Sequence, residues 1–228
     1  MKHTTMTLAS LSAIAAALLV SPAAAQETRS RVTAAQVAAQ VQAFYDQTTT
    51  VRTAFQQTHY DRTYQRTTTS RGVLTIAKPG KLRFDYLGGN GKVVVSDGRE
   101  LTVYEPGDDG GPGQYARSAM RESYSSALGF LTGQARLDRD FRVRLVDASR
   151  YRWSGHVLEL RPVRAEPGYR RALLFVSADP ASAGVVQRMV IEDHAGNVNR
   201  FTFQRMQFNR TVADSTFRFT PPSGARRI

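Results

Sequence analysis

The chain of 228 residues has no cysteine and a single tryptophan, and it is short of acid: 31 Lys and Arg face 19 Asp and Glu, for a formal net charge of +12. Without cysteine there is no thiol nucleophile, no thiolate metal site and no disulfide. There is also no cysteine on which a lipid anchor could be built. Histidine is sparse. After His3, only His59, His156 and His194 remain, scattered and without a metal-ligand spacing such as HExxH. No GxSxG elbow supports an esterase-like serine. Gly88-Gly89-Asn90-Gly91-Lys92 fails as a phosphate loop, because Tyr86 stands where the first glycine belongs and Val93 where Ser or Thr would hold magnesium. Glu192 and Asp193 are adjacent on a predicted strand, so they point to opposite faces and cannot act as a pair there. These gaps leave no expected cofactor, metal or catalytic group.

Long apolar runs are equally scarce. Leu8–Val20 is one, and it is too short to favour a membrane span. With Lys2 before it and Ala23-Ala24-Ala25 after it, the run has the layout of an export signal cleaved near Ala25. The expected organisation is a signal peptide over 1–25 and one domain over 26–228, exported and soluble. The basic balance suits solubility or weak attraction to anionic headgroups, and export argues against nucleic acid.

Thr33 and Gln36 form a capping box. Val37, Val41, Phe44 and Tyr45 follow at helical spacing, with the helix ending near Asp46. From Val51 to Tyr104 the period drops to two. Leu74 and Ile76 share one face, and Leu82, Phe84 and Tyr86 share another, opposite Arg83 and Asp85. Asp97-Gly98 marks a hairpin, and Pro106–Gly113 a flexible loop. A second helix is predicted over about 117–131, with Met120, Tyr124, Ala127, Leu128 and Leu131 as its apolar stripe and Gly133 as its stop. Strands then follow over 141–146, 156–162, 171–177, 185–192 and 198–208, with a short last strand at Phe217-Arg218-Phe219. Short turns between strands imply an antiparallel meander. The predicted class is mainly β with α: a strongly curved antiparallel sheet, or incomplete β-barrel, with helices in its concave side.

Two stretches carry a family resemblance. The first holds Gly72, Lys78-Pro79-Gly80, Leu82-Arg83-Phe84-Asp85-Tyr86 and Val94-Val95-Ser96-Asp97-Gly98. The second holds Asn209, Asp214, Phe217, Phe219, Pro221-Pro222 and Gly224. Together they resemble the LolA family of periplasmic lipoprotein carriers. The resemblance implies a monomeric periplasmic carrier that takes lipoproteins from an inner-membrane ABC lipoprotein-releasing complex. It would hold their acyl chains in an apolar cavity under a helical lid and pass them to an outer-membrane lipoprotein receptor. Carriage of another amphiphile, such as a glycolipid or pigment precursor, and a lipid- or lipoprotein-sensing domain are the alternatives.

The residues expected to line that cavity are Leu74, Ile76, Leu82, Phe84, Tyr86, Met120, Tyr124, Leu128, Leu131, Phe201 and Phe203. Spacing alone reads them as a packed core, and a ligand cavity uses the same residue types. Only the resemblance points to a cavity. It also implies a role for Lys78, which stands where the family usually has an arginine that holds the lid closed. Read alone, Lys78 is a solvated turn lysine. Two further departures are Phe84, where an indole is frequent, and the absence of a proline between Tyr86 and the glycine-rich turn.

Overall fold

The computed structural model describes residues 32–88, 91–107, 110–119 and 129–228. Thr33 caps helix α1 (Ala34–Asp46), accepting a hydrogen bond from the Gln36 amide while the Gln36 side chain accepts from the Thr33 amide. Val37, Val41 and Tyr45 make its buried face.

Among the described residues twelve strands form one sheet: β1 (Thr50–Asp61), β2 (Arg66–Ala77), β3 (Lys81–Tyr86), β4 (Val93–Asp97), β5 (Glu100–Glu105), β6 (Gln114–Ala119), β7 (Phe141–Val146), β8 (His156–Pro162), β9 (Arg171–Val176), β10 (Val186–Glu192), β11 (Val198–Phe208) and β12 (Arg226–Arg227). A one-turn helix, α2 (Leu137–Asp140), precedes β7. The strand order is β12-β6-β5-β4-β3-β2-β1-β11-β10-β9-β8-β7, an open sheet that is antiparallel except where β12 runs parallel to β6.

The contacts of α1 require the sheet to curve. Tyr45 Oη accepts from the Val186 amide on β10, Phe44 packs edge-on against Phe208 on β11, and the Tyr45 carbonyl meets the β2–β3 turn. The same helix also touches β7 and β8. From β2 to β7 is six strand spacings, or about 29 Å in a flat sheet. A helix of 13 residues is only about 20 Å long. The sheet therefore wraps round the helix, and residues from β1–β5 and β7–β11 join α1 in one apolar cluster. Bulges on β11, opposite Arg52 and Ala54 of β1, and after Val186 on β10 add local bend.

Two sequence expectations need correction. Arg117, read as the start of a helix, lies on β6, where it pairs with Thr102 of β5. The long-range ladder decides against the local helical stripe. Phe217–Phe219 is not a strand: Asp214–Phe217 is a 3-10 turn that buries Phe217. The last strand is instead β12, two residues that pair in parallel with β6. Most of the predicted second helix, including Met120, Tyr124 and Leu128, falls outside the described residues.

Candidate functional site

Alternation along the strands builds the inner face. Leu74, Ile76, Leu82, Phe84, Phe201 and Phe203 are buried in the main cluster, and Tyr86 is half-buried against it. Arg83 and Asp85 point the other way and pair at 2.8 Å, with the Arg83 guanidinium donating to the Thr216 carbonyl. The sheet register is thus the one the period-two pattern predicts. Leu131 is buried in the same cluster, beside Phe130.

The centre of this face is aromatic. Phe55 meets Phe84 and Tyr86 edge-on at 5.3 and 5.2 Å between centroids, and Phe201 closes the group at 6.1 Å from Phe55. Phe55 and its seat were not among the predicted site residues. The seat is Gly72. A Cβ there would lie 2.3 Å from the Asp85 carbonyl oxygen and 2.6 Å from the Phe55 ring, so only glycine lets the ring lie on the backbone of β2. The alternation of β1 was the available clue, because Val51 and Phe55 share its inner face. Tyr86 Oη donates to Gln57 Oε1 at 2.6 Å, and burial pushes its hydroxyl pKa up to about 12. The hydroxyl is thus a fixed neutral donor at the rim of an otherwise apolar surface. Burial likewise raises the Tyr45 hydroxyl well above its ordinary value.

The β2–β3 turn joins this face to the helix. The Lys78 ammonium donates to the Tyr45 carbonyl in the last turn of α1, where the helix dipole also favours a cation. The Lys78 amide donates to the Thr49 carbonyl at 2.9 Å, and the Gly80 amide to the Thr132 carbonyl at 3.0 Å. The Lys78 side chain runs beside Gly133, where an added Cβ would lie 3.1 Å from its Cδ. One turn therefore touches both α1 and the 129–133 segment. Burial lowers the Lys78 pKa, and the nearby Asp46 charge partly offsets that. Asp46 itself accepts from Gln42 Nε2 at 2.7 Å and lies 3.6 Å from Arg136, and Gln42 Oε1 accepts from the Leu137 amide at 2.9 Å. Polar contacts thus tie the helix to α2 at one end of an apolar contact.

Among the described residues no group of three or more His, Asp or Glu is placed to hold a metal. No helix among them is long and apolar enough to cross a membrane. His59 Nδ1 lies 3.1 Å from Asn199 Oδ1 and His194 Nε2 lies 2.8 Å from the Glu166 carbonyl, both on strand or turn scaffolding away from the inner aromatic group. What the arrangement can do is present apolar surface under a helix held by few polar contacts.

A curved open sheet with an apolar inner face packed against a helix is the architecture these elements build. The family model of the outer membrane lipoprotein carrier protein LolA matches residues 46–220, and the chain belongs to that family. A protein named outer-membrane lipoprotein carrier protein from Dechloromonas aromatica is 26% identical over 187 residues, covering 82% of this chain and 84% of that one. One of the same name from Cupriavidus taiwanensis is 30% identical over 159 residues, 70% of each chain. Among solved structures, a LolA superfamily protein from Nitrosomonas europaea is similar at 14% identity and a TM-score of 0.47, over 82% of this chain and 98% of that one.

Proposed function

We propose that this protein is a periplasmic, non-enzymatic carrier of lipoproteins: residues 1–25 are a cleaved export signal, and residues 26–228 shield acyl chains on the inner face of the sheet. It takes its cargo from an inner-membrane ABC lipoprotein-releasing complex and hands it to an outer-membrane receptor. The need for such a carrier is physical. Each methylene kept from water is worth roughly 0.8 kcal/mol, so about ten of them hold a lipid in its membrane by on the order of 8 kcal/mol. The observation that carries the reading is the Lys78 contact. A single turn holds α1 and the 129–133 segment across an apolar, aromatic-rich face. In this reading Lys78 is the latch of the empty state, and loading exchanges its contact for lipid contacts along Leu74, Ile76, Leu82, Phe84, Tyr86, Phe201 and Phe203. Met120, Tyr124, Leu128 and Leu131 complete the lipid-facing set.

The test is release of a labelled lipoprotein from vesicles that contain the ABC complex, followed by transfer to vesicles that contain the receptor. The wild-type protein is expected to form a soluble complex and deliver it. Phe84→Glu, which puts a charge on the inner face, is expected to abolish loading. Lys78→Leu is expected to load but to deliver at an altered rate. A wild-type protein that leaves the lipoprotein in the donor vesicles overturns the carrier reading. Unchanged delivery by Lys78→Leu overturns the latch alone.

A further inference from the structure

The outer face of the sheet holds a second, basic cavity that the lipid-carrier reading does not use. A β-bulge creates its centre. Val186 pairs with Val176 and faces the main cluster, but after the extra residue Gln187 it is Arg188 that pairs with Phe175, and both face outward. The Ala148–Tyr151 turn and Trp153 fold over this face and complete a small outer cluster with Val157, Leu173 and Phe175. The Arg188 guanidinium lies 5.1 Å from the Phe175 ring centroid and 5.2 Å from that of Trp153, so it rests against both rings of an edge-on aromatic pair. Its Nε is buried and has no hydrogen-bond acceptor among the described residues. Burial, helped by the nearby Arg200 charge, lowers its pKa.

The cavity beside it has a volume of about 400 Å³, within the size range of small-ligand sites. Arg152, Arg171, Arg188 and Arg200 line it above a floor that includes Leu173 and Phe175. Its one carboxylate, Glu192, is already engaged by Arg170 and Arg171, and Arg150 has Asp147 at 3.9 Å. Among the described residues Arg152, Arg188 and Arg200 have no carboxylate partner. A buried guanidinium N–H without an acceptor is a costly arrangement, and the unpaired charge beside an open cavity favours an anion there.

We propose that this outer cavity binds a phosphate ester, with the phosphate oxygens on Arg188 and Arg200 and the carbon stem on the apolar floor. Guanidinium forks match phosphate oxygens in geometry and charge, and several around one cavity favour an anion with more than one free oxygen. Two sources share this chemistry: the headgroup of an anionic phospholipid and a free organic phosphate.

Trp153 is the only tryptophan in the chain and packs against Arg188 and Phe175 of the cavity wall, so its fluorescence reports on that wall. The experiment titrates the full-length mature protein with glycerol 3-phosphate, and separately with vesicles of phosphatidylcholine with and without phosphatidylglycerol. A saturable change in Trp153 emission with glycerol 3-phosphate is expected, about tenfold weaker in Arg200→Gln. If only the phosphatidylglycerol vesicles give a change, weakened in the same variant, the site takes a headgroup in its membrane. Arg188→Gln is expected to abolish the response. Should that variant fail to fold, Arg200→Gln and Arg152→Gln, both on exposed side chains, decide. No response to either probe, or a response unchanged in the arginine variants, overturns the proposal. Lipoprotein release is scored in parallel, so failure here is distinct from failure of the carrier reading.

Discussion

Along β9 two surfaces alternate on one backbone. Ala172, Leu174 and Val176 face the cluster around α1, whereas Arg171, Leu173 and Phe175 face outward. The same division runs through β8, where Leu158 and Leu160 are inner and Glu159 is outer. It also runs through β11, where Phe201 and Phe203 are inner and Arg200 is outer. The inner surface is wide, uncharged and covered by helix; the outer one is a small apolar cluster ringed by guanidinium groups. Period-two geometry lets one set of strands hold an apolar face and a charged face without either compromising the other. The larger apolar core therefore lies on one side of the sheet, and the cluster of guanidinium groups on the other.

The sharpest way to break the comparison is a pair of neighbours. Leu174→Ala removes a fully buried inner side chain and is expected to cost about 2–5 kcal/mol. Leu173→Ala, on the outer cluster and bordering an open cavity, is expected to cost about 1–2 kcal/mol. Urea unfolding of both variants checks this, and equal losses would mean that the outer cluster is as much a core as the inner one. Gly72→Ala comes next. The added methyl meets backbone as well as the Phe55 ring, and neither can move freely, so the expected loss is about 1–3 kcal/mol. Pairing it with Phe55→Leu tests the mechanism: the second change should relieve part of the ring clash but not the contact with the Asp85 carbonyl.

The inner face was legible because it depends on local alternation. Leu82, Phe84 and Tyr86 declare their side through spacing alone, and Thr33 with Gln36 declares the start of α1. The outer cavity was not legible. It needs a bulge at Gln187, the register of β9 against β10, and a turn that brings Trp153 over Arg188 from 35 positions away. None of these has a local signature. The same reason explains β6: Gln114–Ala119 has too little alternation of its own, and its strand form comes from pairing with β5. Gly72 was visible as a residue but not as a seat, because the ring that rests on it arrives from β1.

On the outer face, Glu159 gives a pH-dependent prediction. Its side chain is 2% exposed, while its partners Arg144 and Arg161 are 69% and 61% exposed. Burial pushes its pKa up, but the hydrogen bonds from the two arginines outweigh that, and the net shift is downward from 4.5. A carboxylate whose folded pKa lies below its unfolded value stabilises the fold above the unfolded value. That contribution is lost as pH falls through the folded one. Glu159→Gln is therefore expected to cost on the order of 1 kcal/mol at neutral pH, since the exposed arginines are screened. The difference from wild type should shrink as pH drops below 4.5. A constant difference across that range would show that shape, not charge, sets the role of Glu159.

The smallest expected change in stability belongs to Lys78, where the two kinds of surface meet. Its ammonium brings charge to the edge of the inner face, and two effects oppose each other there. The hydrogen bond to the Tyr45 carbonyl and the helix dipole favour the charge, while burial disfavours it and lowers the pKa. Lys78→Leu loses both and gains apolar contact beside Gly133, so its stability at neutral pH should stay within about 1 kcal/mol of wild type. The pH dependence separates this balance from indifference. Between the lowered folded pKa and the ordinary value of 10.5, the unfolded chain holds more protons at Lys78 than the folded chain. Wild-type stability relative to the leucine variant should therefore rise as pH climbs through that window. Amide exchange gives the local reading: the Gln47 and Gly80 amides, which donate to Ala43 and Thr132, should exchange faster in Lys78→Leu at unchanged global stability. Unaltered exchange at both amides would mean that apolar packing alone keeps the helix down, and the polar contact at the edge of the inner face would then have no holding role.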